Sequence, residues 1–167
     1  MSVTPVAAVV VILGVAACAG IGFSCGPAPS PSSSLIWLNP TGSPFPVSHT
    51  FVSCAESGKN TAKLALAASN LGPGDGCTFS ARLANVGDKA LSITETMQES
   101  TPHGAPSFSS CFSFAVSSGP PSGTISAGGS YPYTFTIQML SSATAHCLGV
   151  VGKVTLTFTG TVCGRSH

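Results

Sequence analysis

From Leu35 onward the apolar positions recur with a period of two. Cys77, Phe79, Ala81 and Leu83 alternate with Thr78, Ser80 and Arg82. Tyr131, Tyr133, Phe135, Ile137 and Met139 form the longest stripe. Val154, Leu156, Phe158 and Val162 form another, with Thr155, Thr157, Thr159 and Thr161 opposite. Successive side chains of a strand point to opposite faces, so this spacing predicts strands with one buried face each. Shorter runs follow the same habit: Leu91 and Ile93 toward Met97, and Phe112, Phe114 and Val116. The apolar run 35–38 and the Thr/Val/Phe-rich stretch 47–54 read as strands. So does 61–68, with Leu64 and Leu66 on one face, although its Ala and Lys content leaves a helix as the alternative. The total is about seven or eight strands. Gly72-Pro73-Gly74-Asp75, Asn85-Val86-Gly87-Asp88, Gly119-Pro120-Pro121 and Gly128-Gly129 supply the turns between them. No strong amphipathic helix interrupts the second half. The expected fold class is mainly β: an Ig-like antiparallel β-sandwich spanning 35–167.

The beginning of the chain follows a different pattern. Residues 5–23 read PVAAVVVILGVAACAGIGF, with no strongly polar side chain. As a helix this run is about 28 Å long, close to a bilayer core of about 30 Å. Pro5 suits a first helical turn, Ser2 or Thr4 suits a cap, and Gly26-Pro27 suits a stop. Three readings stay open for 1–24: a retained helix, a cleaved secretory signal ending at Ala17-Cys18-Ala19, or a lipoprotein signal with lipid on Cys18. The last two normally carry a basic residue near the start, and MSVTP has none. Residues 25–34, CGPAPSPSSS, make a semi-extended Pro/Ser linker between this segment and the β domain.

Charge sharpens this division. Of 167 residues, 6 are Lys or Arg and 5 are Asp or Glu, giving a net charge of +1. Six scattered basic residues cannot form a nucleic-acid-binding surface, so no nucleic-acid partner is expected. Ser and Thr make up about a quarter of the chain, and hydroxyls can solvate strand faces without charge. The first charged side chain is Glu56, so the helix, the linker and the first strands are neutral. A neutral stretch of that length is suited to burial against a membrane or against copies of the chain.

The chemistry-bearing residues are few. The seven cysteines are 18, 25, 54, 77, 111, 147 and 163, and none forms a Cys-x-x-Cys pair. That pattern points to structural disulfides in an oxidising compartment instead of a zinc or redox centre. The candidates are Cys25, Cys54, Cys77, Cys111, Cys147 and Cys163. Five cysteines lie in the β domain, which leaves one over, and Cys25 is a candidate to pair with it. Six cysteines allow about 15 connectivities, and the sequence does not choose among them. Asp75 and Asp88 lie in turns, where Asp commonly bonds its own backbone. His49, His103, His146 and His167 lack the Cys and Met neighbours of a copper sandwich, and no His-Glu-x-x-His, Gly-x-Ser-x-Gly or Walker sequence occurs. Pro40 blocks the one Asn-x-Thr sequence as a glycan acceptor. Neither an enzyme nor a cofactor or metal is expected.

Thr4-Pro5-Val6-Ala7-Ala8-Val9-Val10-Val11-Ile12-Leu13 resembles the start of mature archaeal type IV-like pilins, whose N-terminal helices bundle into a filament core. Leu71-Gly72-Pro73-Gly74-Asp75, the strand through Leu83 and Asn85-Val86-Gly87 are similar to the Pro-Gly-Asp turn, strand and Asn-x-Gly turn of TasA/camelysin-like filament proteins. Archaeal bundling pili belong with the latter, and in them a strand donated by a neighbour completes each sandwich. These resemblances imply a structural subunit of an extracellular filament at the cell surface, with identical subunits as partners in a helical homopolymer. In a helical-core mode, residues 3–24 bundle through Val6, Val9, Val10 and Leu13, after holding the subunit in the membrane before assembly. In a donor-strand mode, about residues 1–19 are removed, and Leu35, Ile36, Trp37 and Leu38, or the stretch 47–52, enter the next subunit. The alternative is a membrane-anchored or lipidated Ig-like binding module at the cell surface.

Overall fold

A computed structural model describes residues 23–25, 34–46, 52–59, 61–117 and 123–165. The chain folds as two antiparallel β-sheets with one core between them. The strands are β1 (Phe23–Cys25), β2 (Leu35–Phe45), β3 (Ser53–Ser57), β4 (Lys63–Ser69), β5 (Gly76–Asn85), β6 (Leu91–Ser100), β7 (Phe112–Val116), β8 (Thr124–Ile125), β9 (Ser130–Met139) and β10 (Gly152–Arg165). One sheet runs β3-β4-β10-β6-β8, with β1 added at the end of β10; the other runs β2-β5-β9-β7. A four-residue helix, α1 (Phe108–Cys111), leads into β7. The predicted N-terminal helix, with Val6, Val9, Val10 and Leu13, lies outside the described residues.

The period-two stripes become the core. Cys77, Phe79, Ala81 and Leu83 of β5 face Val154, Leu156 and Phe158 of β10, with Tyr133, Phe135, Ile137 and Met139 from β9 beside them. Their Thr and Ser partners take the outer faces. Of residues 61–68, those from Lys63 on form strand β4 (Lys63–Ser69): Leu64, Leu66 and Ala68 are buried, and β4 is paired on both sides, by β3 and by β10. Pairing on both edges outweighs the helix preference of Ala and Lys. The run 35–38 starts an 11-residue strand, with a register shift between Leu38 and Thr41 where Asn39 adopts φ 47°. This is a bulge, placed where the Pro at position 40 has no N–H to give the ladder.

The two poles are pinned by different chemistry. At one, Asn85 is buried and its Nδ2 donates to the carbonyls of Lys89, Ile125 and Ser126, while its Oδ1 accepts from the Gly87 N–H. The Asn-x-Gly turn thereby holds β5, β6 and β8 together. At the other, the Asp75 carboxylate accepts from the Gly72 N–H at 2.8 Å, the Gln138 Nε2 donates to the Gly74 carbonyl, and Cys111 is bonded to Cys147.

Candidate functional site

Among the described residues, no three His, Cys, Asp or Glu side chains come together as a metal site would need. His103 and His146 are exposed; His49 and His167 lie outside the described residues. Asp75 is spent on its turn, and Asp88 is exposed. A shallow depression of about 280 Å³ on the outer face of the first sheet is lined mostly by Ala, Ser and Thr, with Leu66, Glu56 and Lys153. It offers neither an apolar floor nor converging polar groups.

The geometry that stands out is an edge. A sandwich has two lateral sides, and here they differ. On the β2/β3 side the sheets are joined. Trp37 donates its backbone N–H to the Thr61 carbonyl at 2.9 Å and bridges to Lys59, and the Cys54–Cys77 bond ties β3 to β5. Gly42 of β2 is seated so tightly that a Cβ there would lie 3.0 Å from Cys54 and from Phe79. Gly58 turns the chain from β3 to β4 at φ 109°, and an added Cβ would run into the Lys63 carbonyl.

On the β6/β7 side there is no such joint among the described residues. β8 pairs with β6 only at Leu91 and Ser92, after which the Ile93 N–H bonds the Gly123 carbonyl. The N–H and C=O of one strand residue point to the same side and alternate along the strand. The backbone groups of Glu95, Met97 and Glu99 therefore point away from β10, where no described strand meets them. On β7, Leu140 donates to Cys111 and Ser117 to Thr134, which assigns the odd positions to β9. Phe114 and Val116 then present their backbone outward as well. Burial fades on the same side. Along the inner face of β6, Leu91 and Ile93 are buried, but Glu95, Met97 and Glu99 are half-exposed. Along β7, Phe112 is buried, Phe114 half-buried against Phe135 at a ring distance of 6.1 Å, and Val116 is 36% exposed. Among the described residues, two open edges thus flank a partly covered strip of core.

Glu95 gives this strip its electrostatic character. It lies opposite Phe158 in register, and its Oε1 is enclosed with no hydrogen-bond partner. Burial raises its pKa above the usual carboxylate value, and burial raises that of Glu99 in the same direction. Tyr133 is raised above the usual phenol range, first by burial and then by the nearby charge of Glu95. In the sequence Glu95 is one carboxylate among five. The signal available was its parity: it shares the spacing of Leu91, Ile93 and Met97 and so belongs on the inner face.

Of the residues assigned to self-assembly, Leu35 and Trp37 sit in this chain's own core. Trp37 contacts Tyr133, Phe135 and Phe158 edge-on at 5.1–5.8 Å between ring centres. Ile36 and Leu38 are half-buried on the other face of β2. The stretch 47–51 lies outside the described residues. Among the described side chains, four of the six disulfide candidates are paired, Cys54–Cys77 and Cys111–Cys147, and two bonds of this kind fit an oxidising, extracellular-type environment. Among the described residues, no helix is long and apolar enough to cross a membrane. No family model, curated protein or solved structure matches the chain.

Proposed function

We propose that this chain is a structural subunit of an extracellular filament, built on an Ig-like sandwich that polymerises by taking a neighbour's strand into its β6/β7 side. One observation carries this reading: among the described residues, two strand edges with no partner strand, at Glu95–Met97–Glu99 and at Phe114–Val116, flank a strip of half-buried apolar side chains. An incoming strand would bond both edges and cover Met97, Phe114 and Val116 at once, which is β-augmentation. The donor is the apolar stretch before Phe23, which carries no charged side chain. The run 35–38 is the weaker candidate for that role, because Leu35 and Trp37 fill this chain's own core.

The test is a pair of proline substitutions. Met97→Pro and Val116→Pro each remove an N–H that points away from the partner strand, so the internal ladders are kept while an incoming strand loses a bond and meets a ring. Electron microscopy and sedimentation of the natural full chain should show filaments. Both variants should give folded monomers with the Cys54–Cys77 and Cys111–Cys147 bonds intact. Filaments of normal length from both variants would remove strand insertion from consideration. A natural protein that stays monomeric at high concentration would favour the anchored binding module.

A further inference from the structure

Three cysteines remain once the two bonds are assigned: Cys18, Cys25 and Cys163. Two of these are placed by the backbone. β1 is a strand of three residues that pairs antiparallel with the last residues of β10, in the register Phe23 to Arg165, Ser24 to Gly164 and Cys25 to Cys163. Directly opposed residues of an antiparallel pair have Cα atoms about 4.5–5.5 Å apart, and a disulfide spans Cα atoms about 4.4–6.8 Å apart. A slip of one residue would destroy this match, because it would set Cys25 against a Gly or a Val.

We propose that Cys25 and Cys163 form a third disulfide, which fastens the root of the apolar N-terminal segment to the end of the last strand. The two thiols lose two protons and two electrons, and an oxidising disulfide of an exchange partner is reduced to its two thiols as the new S–S bond forms. A ladder of three residues gives β1 few hydrogen bonds, and a covalent bond would fasten it. The bond has a positional consequence. β10 ends beside Leu91, at the pole of Asn85, whereas Cys111–Cys147 closes the opposite pole. Residues before Phe23 and residues after Arg165 then leave the domain from one fixed point, next to the first turn of β6. The inference stands apart from the filament reading, since a tethered module would need its stalk fixed in the same way.

Chymotryptic mapping of the oxidised full chain tests it without any variant. Cleavage after Phe23 separates Cys18 from Cys25, and cleavage after Phe158 isolates Cys163. The expected product is a fragment beginning at Ser24 joined to the fragment 159–167, which falls into its two parts on reduction with a mass gain of one hydrogen on each. Cys18→Ser should leave that product unchanged, and Cys25→Ser should turn Cys163 into an alkylatable thiol. Recovery of 159–167 with a free thiol from the natural protein would overturn the proposal. So would its linkage to the Cys18 fragment, or a covalent dimer on a non-reducing gel that Cys163→Ser abolishes.

Discussion

The two lateral sides of this sandwich are made from the same kind of strand and end in opposite states. On the β2/β3 side, a backbone bridge at Trp37, a disulfide and a Cβ-free contact at Gly42 bring the sheets together. On the β6/β7 side, among the described residues, β8 pairs with β6 at two positions. The difference is not one of hydrophobicity alone, since Met97, Phe114 and Val116 are as apolar as many closed-side residues. It lies in how many backbone groups find partners. Edges left open cost a protein its protection against association, so a chain that keeps one either guards it or uses it. Glu95 and Glu99, on the inner face of β6, are charges of the kind that discourages indiscriminate pairing.

Substitutions should expose this asymmetry in order of size. Trp37→Ala removes the side chain on which rings from both sheets converge, and should cost about 3–5 kcal/mol in equilibrium unfolding. A loss below about 1 kcal/mol would mean that the closed side is not where stability resides. Removing the Cys54–Cys77 bond by a double Ala substitution should cost about 3 kcal/mol, given its separation of 23 residues. Met97 and Leu156 oppose each other in register, which makes them a matched pair across the comparison. Leu156→Ala should cost about 2–5 kcal/mol, because Leu156 is fully buried, and Met97→Ala about 1 kcal/mol or less as measured on the monomer. Equal losses at the two positions would show that β6 is as well covered as β10.

Much of this was legible in advance, for reasons that the same residues make plain. The stripes of β5, β9 and β10 are long, and a strand buried on one face cannot hide its period. The fate of 61–68 was not legible, because Ala and Lys suit both helix and strand and only pairing on both edges decides it. The role of the run 35–38 is ambiguous for a related reason. An apolar run shows that it must be buried, but not in which molecule, and Trp37 is packed among rings that are 96 or more positions away in sequence. Which cysteines pair depends on register between distant strands and could not be counted out.

The finest distinction between the sides is electrostatic, and it rests on Glu95. Its pKa is raised in the folded chain by burial, above the value of 4.5 that the unfolded chain keeps. Below 4.5 both states hold the proton, and this contribution to stability is fully present. Between 4.5 and the raised value the folded chain retains a proton that the unfolded chain has released, so stability falls as pH rises through that window. Glu99 acts in the same direction from a more exposed position. Glu95→Gln should therefore flatten the decline between mildly acidic and neutral pH without abolishing it, and leave the variant more stable than the natural chain at neutral pH. The same substitution should lower the pKa of Tyr133, seen as tyrosinate absorbance emerging at a lower pH, because the carboxylate charge is one of the two causes that raise it. An unchanged acid profile together with an unchanged Tyr133 titration would mean that Glu95 faces solvent, and that the β6/β7 side is a wet surface instead of an uncovered piece of core.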